Sequence, residues 1–409
     1  MNCRYCKNFL KHVFTDLGET PLANSYLTKD MMNEPEKKFP LKTFVCEKCF
    51  LVQIDEFEKP ENIFNDYAYF SSYSTSWLEH VKIFSENMIK RFNLSKNNQI
   101  VEIASNDGYL LKNFTNNQIP VLGIEPASNV AKIAEKEGIP TVNEFFGSNT
   151  ADKVIESGIK ADLLIAFNVL PHVPDLNDFV LGMSKIINDN GIVIIQFSAY
   201  LLDVIGKCEF DMVYHEHYSY FSLFTLKQIF ESNNLEIFDV EEISVHGGSL
   251  RLFLKSTENK KIKIENSVKE LLMKEEEFGI TKIDTYLKFQ DKIDKVKNKI
   301  QEFFINAEKE KKKIVCYAAA AKGNTVLNFC GIAKNSIDYV VDISPHKQGK
   351  FLPGTHIPIY APEKIKDTRP DYIVILAWNL KDEIIEQMNF VKEWGGKFVV
   401  LIPEVKILE

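Results

Sequence analysis

The chain has 409 residues, 45% hydrophobic and 26% charged, with a formal net charge of −8, enough length for two or three domains. That balance argues against nucleic acid or an anionic membrane surface as a partner, because phosphate contacts need a basic face. No apolar run reaches the ~20 residues of a membrane span, the start at Met1–Cys6 lacks the apolar stretch of a secretory leader, and seven cysteines with four in two Cys-x-x-Cys pairs suit a reducing cytoplasm.

Residues 1–62 hold both cysteine pairs, Cys3/Cys6 and Cys46/Cys49, and are expected to form a small unit. Two thiolates two residues apart bind one metal from a tight turn, and two such turns complete a tetrahedral site. Four sulfurs leave no open position, so the expected ion is a structural zinc rather than a catalytic one, with a redox pair as the alternative. The loop between the pairs leaves room for a small sheet. Residues 63–256 follow: an aromatic stretch, then helical spacing at Val81, Phe84, Met88 and Phe92. Strand-like runs at 100–103, 121–124, 163–167 and 192–197 alternate with helical stretches. This is the signature of a doubly wound α/β domain on a parallel sheet. Two further strands around Gly247-Gly248 read as an appended hairpin. Residues 257–313 are Lys/Glu-rich with apolar positions at helical spacing, a helical linker. Residues 314–409 restart the α/β pattern as a second, smaller Rossmann-like domain, with runs at 314–317, 339–341, 372–376 and 397–402.

The loop after the first central strand reads Glu102-Ile-Ala104-Ser-Asn106-Asp107-Gly108. A dinucleotide fold would carry G-x-G-x-x-G there; only Gly108 is present. Small residues still let a ligand approach, and the following helix would offer free N–H groups. S-adenosylmethionine fits better than a dinucleotide, with Glu125 at the end of the second strand placed to accept ribose hydroxyls. Asn168 and His172 close the strand at 163–167, where ligands of open α/β sheets bind. Tyr214-His215-Glu216-His217-Tyr218 is a dense acid–base cluster. Were it extended, His215 and His217 would share one face. A His-Glu-His metal site is disfavoured, because the spacing is not that of a zinc-peptidase helix. In the last domain Lys322, after Ala318–Ala321, suits an anion, and Trp378-Asn379 end a strand on the same rim.

Taken in order, these motifs resemble the nucleotide-sugar C-methyltransferases that make branched deoxysugars. The resemblance runs nearly end to end, through the paired cysteines, Tyr69-Phe-Ser-Ser-Tyr73-Ser, Glu102–Gly108, Asn168-Val-Leu with His172-Val-Pro-Asp, Tyr214–His217, His246-Gly-Gly-Ser-Leu-Arg251, Ala319–Thr325 and Gln348–His356. It implies a zinc-binding N-terminal domain, a central class I methyltransferase domain, and a C-terminal Rossmann-like domain that helps bind a nucleotide-diphosphate sugar. The reaction implied is methylation at C3 of a 4-keto-6-deoxy sugar. His217 would be the base at C3, Glu216 and Tyr214 would hold the sugar, and His172 would donate toward the C4 oxygen. The cofactor contacts would be Glu102, Ala104, Asn106, Asp107, Gly108, Glu125 and Asn168. Substrate contacts would be Tyr69, Tyr73, His215, His246, Arg251, Lys322, Asn324, Trp378 and Asn379. The chain departs from the family at Gln196-Phe197-Ser198-Ala199, where Glu-Val-Pro is usual, and at Pro171. An O- or N-methyltransferase, a nicotinamide-dependent sugar-nucleotide enzyme and a non-enzymatic zinc adaptor are the rival readings, and a monomer or homodimer is expected.

Overall fold

Three sheets organise the computed structural model, which describes residues 1–59, 72 and 75–408. The first is antiparallel: β1 (His12–Thr20), β2 (Phe39–Val45) and β3 (Val52–Ile54). Along β2, Phe39, Leu41, Thr43 and Val45 alternate inward, the period-2 pattern of a sheet with one covered face. Cys46 and Cys49 sit in the turn between β2 and β3, and Cys3 and Cys6 in a turn ahead of β1.

The central sheet holds β4 (Ile100–Ile103), β5 (Val121–Ile124), β6 (Thr141–Val142), β7 (Ala161–Phe167) and β8 (Ile187–Ser198). The chain then gives β9 (Ser219–Tyr220) to the first sheet, where it pairs with β3 (Val52 with Tyr220, Gln53 with Ser219). A hairpin, β10 (Leu235–Ile243) and β11 (Ser249–Ser256), returns to β8, as the sequence indicated. The order is β10-β11-β8-β7-β4-β5-β6, parallel from β8 to β6. Helices cover both faces, so β4 is buried at every position. The chain leaves β4 in one direction for β5 and returns on its other side for β7. The crevice beyond the ends of β4 and β7 is therefore the topological switch point, where such sheets take their ligands.

Residues 257–313 hold the expected helices, Asn266–Phe278, Ile283–Leu287 and Phe289–Lys309. The long helix packs on β1, stacking Phe289 on Phe14 at 4.6 Å between ring centroids. Glu275 accepts from Leu223 N (2.6 Å), Phe224 N (2.8 Å) and Tyr200 Oη (2.7 Å), capping the helix Leu223–Glu231 across the domain junction. The third sheet holds β12 (Ile314–Tyr317), β13 (Val340–Val341), β14 (Ile359–Tyr360), β15 (Tyr372–Ile375), β16 (Lys397–Val400) and β17 (Lys406–Leu408). Its order is β14-β13-β12-β15-β16-β17, parallel except at β17. Its own switch point lies between β12 and β15, beside Lys322 and Trp378. Among the described residues no helix is long and apolar enough to cross a membrane.

Candidate active site

The four cysteine Sγ atoms lie within 4.8 Å of one another, with Cys3–Cys49 at 3.6 Å and Cys6–Cys46 at 3.5 Å. A tetrahedron with Zn–S bonds of ~2.3 Å has S···S edges of about 3.8 Å, so the donor set fits zinc. The two halves fold alike. Lys7 N donates to Cys3 O and Phe50 N to Cys46 O, and both Lys7 and Phe50 take left-handed φ (59°). Gln53 Nε2 donates to Cys3 Sγ (3.3 Å), fixing a sulfur from the strand that pairs with β9.

At the switch point a cavity of about 310 Å³ is lined by Ala104, Asn106, Glu125, Asn168, His172 and apolar groups including Trp77 and Phe167. Ala104, Asn106 and Asn168 all have φ near +50°, an energetically costly choice for non-glycine residues that recurs at ligand sites. Gly123 has a packing role: a Cβ there would sit 2.4 Å from Ser105 Oγ, so only glycine lets the loop lie on β5. The Glu125 carboxylate accepts from Asn106 N (2.9 Å) and Ala127 N (2.8 Å), one bond per oxygen. Its remaining lone pairs can still take ribose hydroxyls. Burial outweighs those bonds and raises Glu125 to about 6. Asn168 Oδ1 is buried without a hydrogen-bond partner among the described residues, an orphan that a ligand donor would satisfy. These features fit S-adenosylmethionine.

Two details of this loop differ from expectation. The helix after it, Leu111–Thr115, is short, and Asn106 N–H is already spent on Glu125, so Glu125 and the cavity walls replace the expected helix terminus. Glu102, Asp107 and Gly108 lie outside the lining. Among the described residues both Glu102 oxygens are buried without hydrogen-bond partners, and burial, then Glu125 and Asp107, push that carboxyl well above its usual range. Asp107 accepts from Ser72 N (3.4 Å).

The acid–base segment is a turn, not an extended run. His217 N donates to Tyr214 O, which sets Tyr214 beside His217 and sends His215 and Glu216 elsewhere. His217 Nδ1 donates to Met212 O (3.0 Å), so its Nε2 carries the lone pair and accepts from Tyr214 Oη (2.7 Å). Burial, with His172 and Lys322 adding to it, holds His217 well below its usual pKa, so the ring is neutral. His172 stands 4.8 Å away, ring to ring, and lines the cofactor cavity. It donates from Nδ1 to Glu216 O (2.8 Å), and burial lowers it to about 4. A neutral ring with Nδ1 as donor keeps a lone pair on Nε2. The expected donation from His172 to a C4 oxygen is therefore not available from this tautomer, whose Nε2 carries no proton. The Glu216 carboxylate turns away from both rings, toward Asn24 of the first domain, and burial raises it to about 7.

Other expected substrate contacts are placed differently. His215 is buried between Phe39 and Phe57, with Nε2 donating to Pro40 O (3.3 Å), so it packs the domain junction. Arg251 is buried on β11, held by Gln196 Oε1 (2.8 and 3.1 Å), Glu241 (2.8 Å) and the face of Phe84. Its fork is used within the sheet, so the unusual Gln196 meets Arg251. Asn324 donates to Ala23 O (2.6 Å), an interdomain bond. Lys322, Trp378 and Asn379 do come together. Lys322 Nζ donates to Asn379 Oδ1 (3.2 Å) and lies over the Trp378 ring, whose Nε1 donates to Asp211 Oδ2 (2.7 Å). Trp378 packs so tightly on Gly247 that a Cβ there would meet its ring at 2.6 Å. Sequence reading missed Asp211 and Glu209. Both are buried acids that act electrostatically on Lys322, and burial lifts Glu209 to about 7. Tyr69, Tyr73 and the side chain of His246 lie outside the described residues.

Three protein families match along the chain: "Putative zinc binding domain" over residues 3–64, "Methyltransferase domain" over 77–240 and "C-methyltransferase C-terminal domain" over 244–403. C-methyltransferase NovU of Streptomyces niveus is 32% identical over 406 residues, covering 99% of this chain and 96% of its own. Among solved structures, an S-adenosylmethionine-dependent methyltransferase from Clostridium acetobutylicum is similar over 44% of this chain and 92% of its own (14% identity, TM-score 0.36). Magnesium protoporphyrin IX methyltransferase from Synechocystis is similar over 44% and 79% (14% identity, TM-score 0.33).

Proposed function

The chain belongs to the C-methyltransferase family, and from that premise we propose that it methylates C3 of a nucleotide-linked 4-keto-6-deoxy sugar through an enolate. As a member it is an S-adenosylmethionine-dependent enzyme with a structural zinc. The observation that carries the finer reading is the Tyr214–His217 pair, neutral, tautomer-locked and one imidazole away from the cofactor cavity. A proton α to a ketone needs a positioned base and stabilisation of the charge that develops on oxygen.

Both nitrogens of His217 are engaged, and the group on its basic nitrogen is the Tyr214 hydroxyl. The base is therefore the pair: the C3–H bond breaks, its proton goes to the Tyr214 oxygen, and the Tyr214 proton passes to His217 Nε2. The C–H electron pair becomes the enolate. Lys322, whose charge helps hold His217 low, favours negative charge at C4–O and opposes protonation of the ring, so its help goes to the enolate and not to the base. Bound S-adenosylmethionine supplies an electrophilic methyl on its sulfonium. Ala104, Asn106, Glu125 and Asn168 would hold it, and Lys322, Trp378 and Asn379 would hold the nucleotide-diphosphate end of the acceptor. The test is to incubate the enzyme with cofactor and a panel of nucleotide-linked 4-keto-6-deoxy sugars and examine products by two-dimensional NMR. A new methyl correlated to C3 supports the reading. A methyl on oxygen, or none on any sugar, overturns it.

A further inference from the structure

The segment between β1 and β2 leaves the zinc-bearing sheet and runs between the other two domains as a strap. Ala23 O accepts from Asn324 Nδ2, Tyr26 Oη donates to Ala319 O (2.6 Å), and Leu27 pairs with Phe351 through both backbone bonds (3.0 and 2.9 Å). Glu36 accepts from Gly354 N (2.8 Å) and His356 Nε2 (3.1 Å). Every one of these contacts goes to the C-terminal domain. Asn24 turns the other way: its Nδ2 donates to both oxygens of Glu216, at 2.8 and 2.9 Å. The amide cannot be flipped without loss, because Oδ1 would then face the two carboxylate oxygens of Glu216.

We propose that Asn24 is a positioning residue for the reaction, acting through Glu216. The proposal rests on the reading of Tyr214–His217 as the base. Glu216 lies between those two residues in sequence, and its carbonyl holds His172 Nδ1. The Asn24 grip therefore fixes the turn that aligns Tyr214 with His217 and sets the His172 tautomer. Through Tyr26 and Ala319 the same strap reaches the loop after β12, so the acceptor-binding rim and the base share one hydrogen-bonded support. Tyr26 from the strap is the titratable group that feels the Glu216 carboxylate, and Lys347 and Asp342 from the C-terminal domain act on that same tyrosine, while His172 meets only the Glu216 carbonyl. Asn24 favours the ionised carboxylate, opposing burial.

The test reads Glu216 directly. In protein labelled with 13C-glutamate, the infrared carboxyl band that Glu216→Gln removes is titrated in wild type and in Asn24→Ala, without substrate. The wild-type midpoint should fall near 7, and loss of the amide donor should move it up by about one unit or more. The isosteric Asn24→Asp fits the same space should the alanine variant fail to fold. It puts an acceptor against an acceptor, so its midpoint rises too, and its turnover falls as pH rises and the shared proton is lost. On substrate, Asn24→Ala lowers kcat about ten- to hundredfold with cofactor affinity and zinc content unchanged. A midpoint that stays put in both variants, or unchanged kcat and pH profile in Asn24→Ala, overturns the proposal. A shifted midpoint in an enzyme inert toward every 4-ketosugar upholds the Asn24–Glu216 coupling and sinks the sugar reading instead.

Discussion

Tyr214→Phe separates the relay from a simpler scheme in which His217 takes the proton itself. The substitution removes one oxygen, the partner of His217 Nε2 at 2.7 Å, and leaves Nδ1 bonded to Met212 O. The ring keeps its tautomer and its place. If the hydroxyl only covers the lone pair, its loss exposes Nε2 to substrate. The cost is then one hydrogen bond, about 1 kcal/mol, and the rate stays within about tenfold. If the hydroxyl carries the proton, general acid–base catalysis is lost at the bond-breaking step. That contribution is about 10²–10⁴-fold, or roughly 2.7–5.4 kcal/mol at about 1.36 kcal/mol per decade. Tyr214 is only half-buried and Phe keeps the ring, so the melting temperature should move little. The assay is steady-state methyl transfer with kcat, KM and cofactor affinity measured separately. We expect kcat to fall at least about a hundredfold with cofactor affinity preserved. Turnover within a few-fold of wild type, with the same pH profile, would place the base on Nε2 alone.

Glu125→Ala removes the carboxylate that ties Asn106 N to Ala127 N. It should weaken S-adenosylmethionine about ten- to hundredfold by calorimetry, while zinc content is unchanged; equal affinity would remove Glu125 from the cofactor site. Burial lowers His215 to about 4, below its unfolded value near 6.5, so the unfolded chain binds the extra proton and stability from this group is lost as pH falls from 6.5 toward 4. His215→Phe cannot titrate, so its stability relative to wild type should improve by about 2 kcal/mol between pH 7 and pH 5; chemical denaturation at the two pH values reads this, and a constant difference would refute it. Chelating the zinc should abolish methyl transfer as well as lower the melting temperature, because β3 beside the cysteines holds β9 directly after the Tyr214–His217 turn; a zinc-free enzyme with wild-type turnover would contradict that link.

What the sequence made legible was local. The cysteine pairs declare themselves because a metal turn needs fixed short spacing, and the strands of both α/β sheets declare themselves as apolar runs because both faces are covered. Four of the described strands have two residues; β13 lies in the apolar run at 339–341, but β6, β9 and β14 are too short to carry a period, and β9 is what joins the 214–217 segment to the zinc domain. The turn at 214–217 was hidden because four polar and aromatic residues have no periodicity to read. Arg251 looked available because its partners, Gln196 and Glu241, lie on neighbouring strands. Asn24 is 192 positions from Glu216, and nothing in a loop asparagine signals where its amide will go.

The central claim is proton removal at C3 by Tyr214 and His217, and it can be read without methyl transfer. The enzyme is incubated in heavy water with a nucleotide-linked 4-keto-6-deoxy sugar and no S-adenosylmethionine, and the sugar is followed by NMR. The account predicts deuterium entering C3 with wild type and loss of that exchange in His217→Asn. Carbon methylation by the complete system with no exchange at C3, or undiminished exchange in His217→Asn, would contradict it.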